Sequence, residues 1–109
     1  LHVGDIPRAE AFYHAALGFD KTVWSYPGAL FLSAGGYHHH LGTNTWARGA
    51  PSASDDDARL LEWELVVPAG KDVEQVAKSL EANGHVPTHE SRGVVARDPW
   101  GTQVRIRAG

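Results

Sequence analysis

The chain has 109 residues, 42% hydrophobic and 21% charged, with a formal net charge of −3. This is the composition of one folded domain with a core of ordinary size, not of a disordered segment. The acidic balance argues against a nucleic-acid partner, no apolar run approaches the roughly 20 residues that span a bilayer, and zero cysteines exclude disulfides and thiolate metal sites.

No signal-peptide pattern is present, so a cytoplasmic location is the default expectation. The sequence contains no methionine and opens on "LHVGD". Leu1 to Val3 reads as the second half of a strand, which predicts that the natural chain continues upstream. In "DIPRAEAFYHAALGF", Asp5 is placed to cap a helix and Pro7 to sit in its first turn, where a missing N–H costs nothing. Ile6, Ala9, Phe12, Tyr13, Ala16 and Leu17 recur at helical spacing, and Gly18 is placed as a left-handed stop. His14 on this helix is expected to be exposed.

Three strands are predicted next, over Phe19 to Trp24, Ala29 to Ser33 and Tyr37 to Thr43, separated by the turn sequences "SYPG" and "AGG". Within "GGYHHHLGTNTW", strand alternation would send His38 and His40 to one face and His39 to the other. The three could not then line one site. Residues 46–59 read as a polar connector, and its aspartate run as a solvated turn whose spacing fits no calcium loop.

After the connector the order repeats. "RLLEWELVVP" is a strand, and "GKDVEQVAKSLEANG" is a helix with Val73, Val76, Ala77 and Leu80 on one face and Gly84 as its stop. "HVPTH", "GVVAR" and "TQVRIR" are three short strands, with His85 in the turn before the first. The chain is therefore strand, helix and three strands, written twice: a first βαβββ unit over 1–45 with its first strand truncated, and a second over 60–109. The expected fold is α+β, with both units forming one curved, U-shaped mixed sheet and the helices on its outer face.

Alternation also sorts the charges. In "LLEWELVV" the apolar Leu61, Trp63, Leu65 and Val67 share one face, and Glu62 and Glu64 the other. In "TQVRIR", Val104 and Ile106 oppose Gln103, Arg105 and Arg107. If these strands are neighbours, glutamates meet arginines on the inner face, and a Glu62–Arg105 ion pair is predicted there. The alternative is that all four charges simply face solvent.

The double βαβββ order, "VGDIPRAEAFYHAALGF" and "RDPWGTQVRI" resemble the vicinal oxygen chelate superfamily, which includes glyoxalase I, bleomycin resistance proteins and extradiol dioxygenases. "YPGALFLSAGGYHHHLGTNTW" is most similar to bacterial catechol 2,3-dioxygenase-like proteins built from two such domains. The resemblance implies Fe(II) or Mn(II), held by two histidines and a glutamate with open positions for substrate and dioxygen. Carried over by position, the first ligand would lie upstream of Leu1, the second falls on Glu62 and the third on Arg105. A guanidinium has no lone pair to give and keeps its charge. Beside a divalent ion it opposes binding by much of what a good metal site gains.

The same resemblance places His39 at a proton-shuttling position and His89 near a substrate-contacting one, while an expected tyrosine falls on Val95. Trp100 replaces a small polar residue in "DPWG" and could shield a cavity mouth or an interface. The expectation is a domain with no metal of its own, with His39 as candidate catalytic residue. His2, His38, His40, Asn44, Glu62, His89 and Arg105 are its candidate pocket residues. Three functions follow: the metal-free domain of a ring-cleaving catechol 2,3-dioxygenase-like oxidoreductase, a module binding a small aromatic molecule or drug, or a metal-dependent lyase or dioxygenase using His2, Glu62 and an upstream histidine. A homodimer, or pairing with a second similar domain, is the expected assembly.

Overall fold

The computed structural model describes residues 1–23, 26–36, 40–51 and 53–109. The chain divides into two compact units, Leu1–Pro51 and Ser52–Gly109. The division falls inside the predicted connector.

In the first unit the opening residues pair in parallel with the last strand: His2 bridges Asn44, and Val3 N donates to Asn44 O at 2.7 Å. Helix α1, Ile6–Ala9, follows, and Asp5 caps it by accepting from Arg8 N at 2.8 Å. The predicted helix does not stay an α-helix. Over Glu10–Ala16 its turns widen to π-helical, and Leu17 N reaches back five residues to Phe12 O at 2.9 Å. The wider turn brings adjacent side chains closer around the axis. Phe12 and Tyr13 both enter the core, edge to face with ring centroids 4.9 Å apart. Gly18, at φ 85°, ends the helix as its sequence position predicts.

Strands β1 (Asp20–Val23), β2 (Ala29–Ser33) and β3 (Leu41–Asn44) form an antiparallel sheet in that order. Leu30 and Leu32 bury themselves with the helix residues. His14 is half-buried rather than exposed, because its Nδ1 lies 2.6 Å from Phe19 O and ties the helix to the approach of β1.

In the second unit, β4 (Glu62–Val67) leads into α2 (Gly70–Ala82), then β5 (Thr88–Glu90), β6 (Gly93–Arg97) and β7 (Gln103–Ala108). The sheet order is β4-β7-β6-β5, with β4 and β7 parallel and the other pairs antiparallel. Val73, Ala77 and Leu80 of α2 are buried with Val94, Ala96, Val104 and Ile106 of the sheet. In each unit the first strand therefore pairs in parallel with the last, as two βαβββ units require. Gly93, at φ 114°, admits no other residue: an added Cβ would lie 2.0 Å from Ile106 O.

The connector is a polar turn held by its own side chains. Asp57 accepts from Ser54 N at 2.7 Å, which holds the Asp57 carboxyl below the ordinary carboxylate range. No helix among the described residues is long and apolar enough to cross a membrane.

Candidate functional site

The helix-free face of the second sheet is built by alternation. Cross-strand partners share a face, and Glu64 lies opposite Arg105, Arg105 opposite Val95, and Val95 opposite Thr88. Side chains lean along their strands, so the contacts are displaced by one pleat from the backbone register. Arg105 meets Glu62 in a fork, Nε to Oε1 at 3.1 Å and Nη2 to Oε2 at 3.2 Å, and its Nη1 donates to Glu90 Oε2 at 2.5 Å. Gln103 Nε2 donates to Glu62 Oε2 as well. One pleat further, Arg107 Nε donates to Glu64 Oε2 at 2.9 Å and Arg92 Nη2 to Glu64 Oε1 at 3.3 Å.

The predicted Glu62–Arg105 pair is thus present, and it is not merely a solvent-facing contact: the Arg105 side chain is 13% exposed. The Arg105 fork, and after it the Gln103 amide, hold the Glu62 carboxyl below the ordinary glutamate range. Glu90 and Glu62 in turn raise Arg105 above its ordinary value, so its charge is permanent at any working pH. Both Glu62 oxygens are engaged by donors. A divalent ion would have to displace those donors and sit beside a fixed positive charge. These residues do not fit one.

The first unit carries a different polar pair at its own parallel junction. Asn44 Oδ1 accepts from Trp46 N at 3.3 Å, which fixes it as the oxygen, and His2 Nδ1 lies 3.1 Å away. His2 therefore donates through Nδ1. Two of the predicted pocket residues are brought together here, on a neutral pair.

His40 departs from its expected place. It precedes β3 rather than alternating along it, because Gly35 and Gly36, at φ 68° and 80°, turn the chain first. Its Nδ1 accepts from Ala34 N at 3.2 Å and lies 3.0 Å from Ser33 Oγ, closing the turn. His38 and His39 lie outside the described residues. His89 faces the wrong way to join Arg105: it pairs with Val94, which pairs with Ile106, on the helix-bearing side of the sheet. Its neighbour Glu90 takes the place beside Arg105. Among the described residues no three His, Asp or Glu side chains are grouped to hold a metal ion.

Glu90 was not among the sequence-derived candidates, since strand "HVPTH" was ended one residue too early. The signal was available: Glu90 and Gly93 bracket a two-residue hairpin turn, Ser91–Arg92. The Asp98 carboxylate accepts from Trp100 N and Thr102 N, both at 2.9 Å, so "DPWG" orders the turn that delivers Gln103 and Arg105.

Three kinds of likeness bear on this geometry. A catechol-2,3-dioxygenase of Bacillus subtilis (strain 168) is 40% identical over 102 residues, which cover 91% of this chain but 35% of that protein. A putative glyoxalase from Bacillus halodurans superposes with a TM-score of 0.76 at 18% identity, covering 100% of this chain and 91% of that one. A lactoylglutathione lyase from Agrobacterium tumefaciens does so with a TM-score of 0.69 at 20% identity, covering 100% and 89%. At such identities these two likenesses establish the fold alone. The model of the Glyoxalase/Bleomycin resistance protein/Dioxygenase superfamily matches residues 1–106, and with the paired βαβββ units it makes this chain a member of that superfamily.

Proposed function

We propose that this chain is a domain of a ring-cleaving, catechol 2,3-dioxygenase-like oxidoreductase, and one that carries no metal itself. The 40% identity to the Bacillus subtilis protein supports the activity class, and the chain spans about a third of that relative's length. The observation that carries the metal-free part is the Arg105 guanidinium, forked onto Glu62 and bonded to Glu90 where the family resemblance would set a divalent ion. The Fe(II) or Mn(II) of the activity would then be held by another part of the protein. This domain would supply packing surface and a cavity wall, with His39, His2, His38, His40 and Asn44 as candidate pocket residues in its first unit. Assembly as a homodimer or against a second similar domain, a small aromatic substrate and a cytoplasmic setting belong to the same proposal.

Purified protein offered Fe(II) or Mn(II) anaerobically and then desalted should retain clearly less than one ion per chain by elemental analysis. One retained ion per chain, lost on Glu62→Gln, would overturn the reading in favour of catalysis within this domain.

A further inference from the structure

The helix-free face of the second sheet holds a recess of about 480 Å³, within the range of small-molecule sites. Val95 forms its apolar floor, and His85, Thr88, Glu90, Arg97 and Gln103 stand around it. Its charge is set by which partners are already engaged. Among the described residues of this unit, Arg59, Arg92, Arg105 and Arg107 each hold a carboxylate. Arg97 holds none. Its bond is Nη1 to the Gly101 carbonyl at 3.3 Å, so most of the guanidinium's donors remain for another acceptor. Glu90 is compensated by Arg105, and Gln103, donating its amide N–H to Glu62, keeps its carbonyl oxygen as an acceptor.

We propose that this recess binds a small organic monocarboxylate that also carries a hydroxyl. The carboxylate is taken by the Arg97 fork with help from the Thr88 hydroxyl, and the ligand's own O–H is offered to Gln103 Oε1 or Glu90. A planar two-oxygen anion matches the guanidinium edge. A dianion such as phosphate is disfavoured because Glu90 lines the same recess. The site is independent of where the protein holds its metal.

The test is an NMR titration of the ¹⁵N-labelled full chain with glycolate, and in parallel with its uncharged amide, glycolamide, and with inorganic phosphate. Glycolate should give saturable shifts of the Thr88, Val95, Arg97 and Gln103 amides, and glycolamide none. Arg97→Gln should weaken glycolate at least about tenfold, the loss of a charge-assisted hydrogen-bond pair. Arg97→Lys should fall between, and Arg59→Gln, in the connector and outside the recess, should bind as the parent does. Absence of saturable shifts, equal binding of glycolamide, or unchanged affinity in a folded Arg97→Gln protein would overturn the site. Phosphate binding more tightly than glycolate would overturn the carboxylate assignment.

Discussion

The two units share one strand order and fill its central junction with opposite chemistry. In the first, the parallel contact between first and last strands is a single bridge carrying a neutral pair, His2 and Asn44. In the second, β4 and β7 run parallel over six residue pairs and carry a ladder of glutamates and arginines. The topology fixes the strand order and not the side chains at the junction. What occupies it decides whether the junction can meet a cation: imidazole with a lone pair can, guanidinium cannot. A shared fold therefore carries no shared chemistry from one unit to the next.

The comparison can be broken most severely at Gly93. Gly93→Ala would force a Cβ into the Ile106 carbonyl at a backbone angle that L-residues avoid, and roughly 3 kcal/mol or more of stability should be lost. Denaturant unfolding measures it, and hydrogen exchange should show the loss in β5, β6 and β7 rather than in the first unit. A loss under 1 kcal/mol would mean that the hairpin relaxes freely.

A pH series sharpens the contrast between charged and neutral junctions. The Glu62 carboxyl has a depressed pKa in the folded chain. Its stabilisation is present in full above the ordinary glutamate value of about 4.3 and is lost as pH falls through the depressed value. Glu62→Gln should therefore lower the melting temperature at pH 7 and differ little from the parent near pH 2. A gap of equal size at both pH values would show that Glu62 acts by shape and not by charge.

The smallest effect is expected in the first unit. Asn44→Ala removes the acceptor shared by His2 and the Trp46 amide on a half-buried strand end, and should cost about 1 kcal/mol. The Asn44 contacts include no carboxylate–guanidinium pair, so that loss should respond less to added salt than the Glu62→Gln loss, which should shrink. Equal salt response in both would erase the distinction.

What was legible in the sequence follows the strength of each local signal. Alternation in "LLEWELVV" and "TQVRIR" placed Glu62 and Arg105 on one face, because a period of two leaves no other choice once one face is buried. Asp5 and Gly18 marked the helix ends through side-chain chemistry and left-handed geometry. The widened turns over Glu10–Ala16 carried no such mark, since a π-helical turn and an α-helical one draw on the same apolar residues. His89 enters through the family resemblance and not through alternation, and Glu90 is hidden behind it because β5 is three residues long at the sheet edge, where ending the strand one residue early leaves Glu90 out. His40 lies outside its predicted strand because Gly35 and Gly36 turn the backbone before β3 begins, and His40 closes that turn.

The position of β7 has a kinetic consequence. It is the last segment of its unit in the chain, yet it lies between β4 and β6 and draws in partners about 40 residues away. The β5–β6 hairpin can form by itself, but β4 joins the sheet only through β7, so closing the sheet of this unit is a late, non-local event and a slow step compared with winding either helix. Until then, β4 waits with its glutamates unanswered.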